Sequence, residues 1–374
     1  MRYYFIAGEA SGDLHAANCI REIKKLDKQA AFGFTGGDLM SEITGVTPDI
    51  HLRQMAFMGF VEVLKNLGKI KQNFKRVKEC ILRFKPDVLV LVDYPGFNLR
   101  MAKWATEMGI RVEYYISPTV WAWKEGRVEQ IKKYTHKMFV ILPFEEAFYQ
   151  KHQHKVYFIG HPLIDAIEQK RPALPGREDF LRANKLDERP MVAVLPGSRV
   201  QEIERMLHEM TEVMKDFPEY QFVVAGTHHL PSNYYDGLKA KRIQVVFNQT
   251  YELMAHAEAG IIKSGTSTLE SALMRLPQVV CYKAGALSFA IGKRLVNVTY
   301  ISLVNLILNR PVVKELIQEE FSSKNISVEL NKLLKDKEYR NAMLAEYDYL
   351  VTLLGGVGAS ARLAAHLVED ASSI

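Results

Sequence analysis

The chain has few cysteines, no long apolar segment and no dense cluster of metal-binding side chains. Cys19, Cys80 and Cys281 are the only cysteines among 374 residues, and they lie far apart without a metal-binding spacing. They therefore indicate reduced thiols rather than a disulfide framework or a zinc site. No run of about 18 uninterrupted apolar residues occurs, so the sequence predicts no membrane-spanning helix.

Further absences narrow the range of possible functions. The sequence has no Walker A ending of glycine, lysine and serine or threonine, and no GxGxxG motif. It has no Asp-x-Asp pair and no histidine cluster, so we expect neither a metal nor another cofactor. The first strand is predicted from residue 2 or 3, which leaves no room for a signal peptide and favours a cytoplasmic protein. The net charge of +6 is mild, and without interleaved stacking residues the basic segment does not favour nucleic-acid binding.

Short apolar runs alternate with helical patterns along both halves of the chain, which predicts an α/β protein with two parallel sheets. After Asp165 the sequence becomes polar and proline-containing, as in the linker candidate Arg171 to Gly176. We predict an N-terminal domain at 1–165, a second domain at 166–345 and a helical tail at 346–374. The predicted strands are Tyr3–Ala7, Val88–Val92, Val112–Ile116, Lys137–Leu142, Val156–Ile159, Met191–Leu195, Gln221–Ala225, Ile243–Phe247, Ala259–Lys263 and Gln278–Tyr282.

A small-residue turn, Gly8 to Asp13, directly follows the first predicted strand and opens a helix. Ligands of open α/β sheets bind at the carboxyl ends of the strands, so Glu9, Ser11 and Asp13 are candidate site residues. The alternative is that Ser11 or Asp13 only caps the helix. Capping alone does not explain Glu9, which lies before the cap.

Two loops in the second half resemble phosphate-binding loops, because each joins a strand to a helix N-terminus, where the helix dipole favours an anion. Arg199 adds a cationic fork suited to phosphate. The alternative is that the hydroxyls only cap the helices. Glu270, one turn into the second helix, is a candidate ligand of a ribose, or else a carboxylate that suits the helix dipole. The loop residues are Gly197, Ser198 and Arg199 in the first loop and Ser264, Gly265, Thr266, Ser267 and Thr268 in the second.

Several motifs in this order resemble the lipid A disaccharide synthase family, and the Gly8–Asp13 and tryptophan motifs are the most specific. The stretches are Gly8–Asp13, Lys85–Asp87, Ser117–Trp123, Leu142–Glu145, Ile159–Pro162, Leu195–Arg199, Ser264–Glu270 and Ser302–Leu306. The resemblance implies two Rossmann-like domains facing a cleft (the GT-B fold). It also implies transfer of diacylglucosamine from UDP-diacylglucosamine to diacylglucosamine 1-phosphate, giving a β-1,6-linked disaccharide phosphate and UDP.

The chain departs from the family pattern at two positions. Gly96 stands where the family often has an aspartate, and Val304 stands where it has a proline. The first change removes one candidate base and favours Asp93, which follows a very apolar strand. Partial burial would raise the pKa of Asp93 towards a useful value. The alternative for Asp93 is a helix cap.

The remaining candidates have weaker support. Glu9 and Ser11 would orient the acceptor or the reacting sugar, and Lys263 would join the donor loops in holding UDP. Asn305 is either a donor-sugar ligand or an ordinary helix-start residue. Trp121 or Trp123 would contact the acceptor, or both are structural.

The segment from Met58 to Ile70 is a candidate membrane contact, because apolar side chains recur at helical spacing among lysines. Val63, Leu64 and Leu67 are the proposed contacts with the inner leaflet. The alternative is a core-facing stripe under a solvated basic face. The C-terminal helices are expected either to pack back on the first domain or to exchange between the subunits of a homodimer. Two alternative functions stay open. The first is another UDP-sugar enzyme of the same architecture, such as UDP-N-acetylglucosamine 2-epimerase or a peptidoglycan glycosyltransferase. The second is a non-catalytic protein that binds a sugar nucleotide or a lipid.

Overall fold

The computed structural model describes residues 1–55, 67–227, 243–285 and 298–371, with residues 230, 232–235, 237–238, 289, 292 and 294 in the gaps. The described chain forms two compact units. The first comprises residues 1–168 and 354–374, and the second comprises residues 169–353. Each unit contains one parallel sheet with helices between successive strands, so the predicted α/β class is confirmed.

All ten predicted strands are present, with ends that differ from the prediction by at most two residues, and the described part of the chain contains three more. The strands are β1 (Arg2–Ala7), β2 (Ala31–Gly36), β3 (Ile50–His51), β4 (Val88–Val92), β5 (Arg111–Tyr115), β6 (Lys137–Val140), β7 (Tyr157–Phe158), β8 (Met191–Leu195), β9 (Gln221–Gly226), β10 (Gln244–Phe247), β11 (Ala257–Lys263), β12 (Gln278–Tyr282) and β13 (Glu315–Ile317). The strands that the sequence did not predict are β2, β3 and β13.

Helices follow most strands and cover the sheets. The described α-helices are α1 (Ala10–Leu26), α2 (Asp38–Thr44), α3 (Leu67–Phe84), α4 (Pro95–Glu107), α5 (Val120–Trp123), α6 (Val128–Tyr134), α7 (Phe144–Lys151), α8 (Pro162–Lys170), α9 (Arg177–Asn184), α10 (Val200–Glu212), α11 (Thr250–His256), α12 (Thr266–Leu273), α13 (Leu303–Leu308), α14 (Ser323–Lys335), α15 (Lys337–Leu353) and α16 (Ala359–Ala371).

The first sheet has the strand order β3-β2-β1-β4-β5-β6-β7, and the second has the order β10-β9-β8-β11-β12-β13. Successive strands are therefore added first towards one edge of each sheet and then towards the other. The change lies between β1 and β4 in the first unit and between β8 and β11 in the second. Such a switch point opens a crevice at the carboxyl ends of the strands. The four strands that flank the two switch points lead into four of the predicted site motifs, at Gly8–Asp13, Asp93, Gly197–Arg199 and Ser264–Thr268.

The central strands are buried on both faces, as parallel strands covered by helices must be. Every residue of β4 is at most 1% exposed, which its unbroken Val-Leu-Val-Leu-Val sequence explains. The last helix, α16, packs on α1 within the first unit and places Leu363, Ala364 and Leu367 in the same core as Tyr3 and Phe5. The first unit is thus completed by the end of the chain.

Candidate active site

The β1 end of the first switch point carries Gly8 and Glu9. Helix α1 begins at Ala10, so the predicted turn is short and Ser11 and Asp13 already lie in the helix. A Cβ atom at Gly8 would lie 2.5 Å from the ring of Tyr94, which explains why glycine stands there. Glu9 is the N-terminal cap residue of α1, but its side chain makes no capping hydrogen bond and is partly exposed. Ser11 is exposed as well.

Asp13 is placed differently from the expected acceptor ligand. Its carboxylate is 3% exposed and accepts hydrogen bonds from the backbone N–H groups of Gly37 (2.8 Å), Leu39 (3.0 Å) and Met40 (3.4 Å). These are donors at the start of α2, which lack partners within that helix. We therefore correct the prediction: Asp13 caps α2 from a neighbouring helix, and it has a structural role.

Asp93 follows β4 at the other side of the switch point and has an unusual backbone. Its φ is 45° and that of Tyr94 is 49°, in the left-handed region that non-glycine residues rarely adopt. The Asp93 carbonyl accepts hydrogen bonds from Asn98 Nδ2 (2.8 Å) and Tyr114 Oη (2.7 Å), which hold the turn. Helix α4 starts at Pro95 with Tyr94 as its cap residue, so Asp93 is not the cap. Strained backbone of this kind clusters at functional sites.

The Asp93 carboxyl group has the electrostatics of a general base. Its pKa is raised to about 6, first by burial and then by the nearby negative charge of Glu9, against a smaller opposing effect of the Tyr94 N–H. Both causes disfavour the charged form. A carboxyl group with this pKa is ionised near neutral pH and accepts a proton more readily than an ordinary aspartate.

The predicted tryptophan segment forms a single helical turn, α5, rather than an extended loop. Trp121 is partly buried and packs edge-on against Phe144, with ring centroids 4.9 Å apart. Trp123 is 48% exposed, and the Lys124 ammonium lies 4.1 Å from the centre of its ring. Only Trp123 therefore presents a large aromatic surface.

Glu145 is a titratable residue near this segment that the sequence argument did not single out. It is 1% exposed and accepts hydrogen bonds from the N–H groups of Leu142 (2.9 Å) and Ile141 (3.2 Å). Burial raises its pKa to about 7, although those N–H groups favour the carboxylate. Its position in the Leu142–Glu145 motif was a signal, but the motif alone does not separate a cap from a site residue.

In the first loop of the second unit, after β8, the backbone N–H groups donate to Glu202 of the following helix, α10. Glu202 Oε2 accepts hydrogen bonds from the N–H groups of Ser198 (3.1 Å) and Arg199 (3.3 Å). Glu202 Oε1 lies 2.8 Å from the Lys263 ammonium at the end of β11. Burial opposes ionisation of Glu202, but Lys263 and the two N–H groups outweigh it and hold the pKa below its usual value. These N–H groups are therefore not available to a phosphate in this structure, contrary to expectation.

Gly197 has a φ of 107°, and a Cβ atom there would lie 2.3 Å from Glu202 Oε2. Glycine is thus required at Gly197 both by the backbone conformation and by the approach of the carboxylate. The Arg199 side chain remains 67% exposed, so its guanidinium is accessible to a ligand.

The second loop, after β11, divides its hydroxyl groups between structure and solvent. Ser264 is buried and donates to the carbonyl of Ile301 (2.8 Å), and Thr268 donates to the carbonyl of Gly265 (2.8 Å). In the described part of the chain, the side chains of Thr266 and Ser267 make no hydrogen bond. Thr266 and Ser267 are therefore the hydroxyls that can meet an anion at the start of α12.

Both loops line one cavity of about 840 Å³ within the second unit. Glu270 also lines it and accepts a hydrogen bond from Tyr251 Oη (2.7 Å), while burial raises the pKa of Glu270. The cavity brings together the predicted donor residues Gly197, Ser198, Arg199, Gly265, Thr266, Ser267 and Glu270, with Lys263. This is a polar cavity at the switch point of the second sheet, and cationic, hydroxyl and carboxylate side chains line it.

Asn305 does not belong to this group. It is 1% exposed, and its amide donates to the Val313 carbonyl (2.8 Å) and Glu315 Oε1 (3.0 Å). Its oxygen accepts from the N–H groups of Val312 (2.8 Å) and Val313 (2.9 Å). Both donors and both acceptor positions are used, which favours the structural alternative, in which Asn305 braces α13 against β13, while its role as a donor-sugar ligand stays a prediction.

The predicted membrane contacts Val63 and Leu64 lie outside the described residues, and Leu67 is the first residue of α3. Among the described helices, none combines the length and apolar character that crossing a membrane requires. Within the same part of the chain, no group of three or more His, Cys, Asp or Glu side chains is arranged to bind a metal ion.

Known proteins are similar to this chain in both sequence and fold. The family of Lipid-A-disaccharide synthetase matches residues 3–362. Lipid-A-disaccharide synthase of Trichlorobacter lovleyi is 39% identical over 372 residues, covering 97% of this chain and 96% of the relative. The Coxiella burnetii enzyme of the same name is 37% identical and covers 92% of each chain.

Solved structures share the fold at much lower identity. UDP-GlcNAc 2-epimerase from Neisseria meningitidis, bound to UDP-GlcNAc, has a TM-score of 0.71 at 16% identity and covers 99% of this chain and 100% of its own. A glycotransferase of kitacinnamycin has a TM-score of 0.66 at 14% identity, with 99% and 98% covered. The fold is thus shared with both an epimerase and a glycotransferase, whereas the sequence is similar to one family over nearly its full length. The chain therefore belongs to the lipid-A-disaccharide synthetase family of glycosyltransferases.

Proposed function

We propose that this protein transfers 2,3-diacylglucosamine from its UDP derivative to 2,3-diacylglucosamine 1-phosphate. The products are the β-1,6-linked lipid A disaccharide 1-phosphate and UDP. The observation that carries the proposal is the Asp93 carboxyl group, which lies at a switch point with a pKa raised to about 6 beside Glu9. Joining a sugar hydroxyl to an anomeric carbon with inversion needs one such base.

In this mechanism Asp93 accepts the proton of the acceptor's 6-hydroxyl group as its oxygen attacks the anomeric carbon of the donor. The bond between that carbon and the UDP oxygen breaks, and UDP leaves with the bonding electron pair. Glu9 and Ser11 orient the acceptor or the reacting sugar at the end of β1. Trp123 is placed to contact the acceptor by its exposed ring, with Trp121 supporting the turn.

The cavity of the second unit suits the leaving nucleotide. Arg199 offers a fork for the diphosphate, and Thr266 and Ser267 offer hydroxyl donors at the N-terminus of α12. Glu270 is placed to accept from the ribose hydroxyls. Lys263 is paired with Glu202 and also lines the cavity, so it adds positive charge where negative charge develops on UDP. The first unit is accordingly the acceptor-binding domain, and the second is the donor-binding domain.

We also propose that the protein acts at the cytoplasmic face of the inner membrane, where its lipid substrates reside, and that it forms a homodimer. Val63, Leu64 and Leu67 are the expected membrane contacts. Replacing all three by serine should reduce co-sedimentation with anionic vesicles, while sedimentation velocity of the native protein tests the dimer. Undiminished vesicle binding by the triple variant would contradict the membrane contact.

The experiment that tests the function is a product assay on the purified protein. UDP-diacylglucosamine and diacylglucosamine 1-phosphate are mixed with and without chelator, and the product is identified by mass and by the configuration of the new linkage. Formation of the β-1,6-linked disaccharide with release of UDP, unaffected by chelator, supports the proposal. No disaccharide, together with epimerisation of UDP-N-acetylglucosamine or with simple binding of the nucleotide, would replace it by one of the alternative functions.

A further inference from the structure

A second large cavity lies in the first unit, on the surface of the helices α3, α4 and α6. It is an open groove of about 1000 Å³, separate from the nucleotide-sized cavity of the second unit. Its lining is rich in aromatic and aliphatic side chains, among them Phe74, Phe97, Leu99 and Trp104. Phe74 and Phe97 meet edge-to-face with centroids 5.2 Å apart, so the floor is a packed apolar surface.

The charges around this groove are strongly one-sided. Five lysine or arginine residues line it against two glutamates, Glu107 and Glu129. The Lys78 ammonium lies 4.7 Å from the ring centre of Phe74 and 4.9 Å from that of Trp104. Among the described residues, Lys78 has no carboxylate partner and Arg100 has none either. A half-buried cation held against two rings without an anion is a place where an anionic ligand would be stabilised.

The groove is also close in sequence and space to the candidate base. Tyr94 and Gly96 line it, and Tyr94 is the residue directly after Asp93. The ring of Tyr94 stacks on Phe97 of the floor, with centroids 5.8 Å apart. A ligand in the groove therefore lies beside the turn that carries Asp93.

An apolar floor with a cationic rim beside the base fits a lipid that carries a phosphate group. Of the two proposed substrates, the acceptor is the one whose phosphate is not assigned to the cavity of the second unit. We propose that this groove binds an acyl chain of the lipid acceptor and that Lys78 and Arg100 bind the acceptor's phosphate. The inference rests on the proposed function. The proposed ligand of the groove is the lipid acceptor itself rather than the membrane surface.

Gly96 allows a direct test, because a Cβ atom there would meet nothing within 4 Å and the residue is exposed in the first turn of α4. Gly96→Phe should project its ring into the groove from this open Cβ position and obstruct it, and Gly96→Ala is its matched control. The probe is diacylglucosamine 1-phosphate with brominated acyl chains, supplied below its aggregation concentration. Bromine quenches nearby tryptophan fluorescence, and Trp104 lines the groove. Trp104→Phe identifies the quenching that comes from this side chain.

The proposal predicts quenching in the native protein and in Gly96→Ala, and its loss in Trp104→Phe and Gly96→Phe. The affinity of Gly96→Phe for UDP and its melting temperature should remain as in Gly96→Ala. Equal quenching in Gly96→Phe and Gly96→Ala would overturn the proposal. Quenching that occurs only with vesicles of brominated phosphatidylglycerol would also overturn it, in favour of a membrane-contact face.

A second variant tests the phosphate contact. Lys78→Met keeps an apolar stem of similar length and removes the charge, so it should weaken binding of the phosphorylated lipid about tenfold. Binding of dephosphorylated diacylglucosamine should be unchanged. An equal effect on both lipids would contradict the phosphate assignment. If the native protein forms the disaccharide but the groove variants behave as controls, this inference fails alone; if the native protein forms none, the proposed function fails.

Discussion

Asp93 combines three properties that rarely occur in one residue: a left-handed backbone, a partly buried carboxyl group and a second carboxylate nearby. Its backbone is held by Asn98 and Tyr114, and its pKa is raised first by burial and then by Glu9. Each property costs folding free energy, on the order of 1–3 kcal/mol for the backbone alone. Such a cost is expected where the strained geometry serves the chemistry.

Replacing Asp93 by asparagine should remove the base and keep the shape of the turn. We expect kcat to fall about 10²- to 10⁴-fold, because general-base catalysis contributes rate factors of that size. The dissociation constant for UDP should be unchanged. Asp38→Asn, which alters a 75% exposed carboxylate of the same unit, is the control. Unchanged turnover in Asp93→Asn would remove Asp93 from the mechanism.

At the scale of single residues, the sequence singled out side chains that directly follow central strands, because ligands of such sheets bind at the carboxyl ends of the strands. Asp93 and both proposed donor loops were found in this way. It did not reveal the roles of Asp13, Glu202 and Asn305, since each is decided by hydrogen bonds that form only in the folded chain. The partners of Asp13 lie 24 to 27 residues away, at the start of α2.

At the scale of the elements, a carboxylate of helix α10 occupies the N–H groups of the loop that precedes the helix. Glu202, in the first turn, bonds back to the N–H groups of Ser198 and Arg199 and pairs with Lys263 from β11. One carboxylate thereby links the ends of two strands. The Glu202 carboxylate fixes the backbone of the loop, while Arg199 and the hydroxyls of α12 line the cavity.

Gly197→Ala should disturb this link, because the added methyl group meets Glu202 and the backbone φ of 107° disfavours alanine. We expect a loss of about 1–3 kcal/mol in unfolding free energy and weaker UDP binding. Gly176→Ala is the matched control, since Gly176 has a φ of −60° and open space around its Cβ position. Calorimetric melting and UDP titration check both. Equal behaviour of the two variants would show that the loop does not depend on glycine.

Asn305→Ala distinguishes a structural role of Asn305 from a role in ligand binding. It removes the acceptor of two backbone N–H groups and the donor to the Val313 carbonyl and to Glu315, which should lower the free energy of unfolding by about 1–3 kcal/mol or more. Because its amide is fully used within the protein, the KM for the donor should change little. A raised donor KM with an unchanged melting temperature would restore Asn305 to the donor site.

Some elements were missed for identifiable physical reasons. In β2 the apolar run is interrupted by Gly33, Thr35 and Gly36, and a Cβ atom at Gly33 would lie 2.9 Å from Tyr4 and 3.0 Å from Phe84. Glycine is there for packing, but in the sequence it looks like a loop residue. Strands β3 and β13 have two and three residues, too few for a period-two pattern.

The molecule as a whole repeats one plan in two units. Each is a parallel sheet whose single switch point lies between strands that end in candidate site residues. The alternation of strand and helix predicted this plan, but strand order did not follow from the sequence. The end of the chain returns to the first unit, where Asp165 accepts hydrogen bonds from the N–H groups of Gly358 (2.6 Å) and Ser360 (2.8 Å).

Asp165→Ala tests how much this return stabilises the first unit. It removes two hydrogen bonds to a buried carboxylate at the start of α16, so we expect a loss of about 1–3 kcal/mol. Asp38→Ala, which removes an exposed carboxylate, should change the melting temperature by much less. Equal melting of both variants and the native protein would mean that the helix is held without this cap.

The central claim, that Asp93 is the base and that burial and Glu9 together raise its pKa, is tested most directly by the pH dependence of kcat/KM. Only the ionised carboxylate accepts a proton, so the rate should rise with pH and level off above an apparent pKa near 6. Because the charge of Glu9 raises the pKa of Asp93, Glu9→Gln should move the inflection to lower pH. A profile without an inflection between about pH 5 and 7, or one that Glu9→Gln leaves in place, would contradict the account.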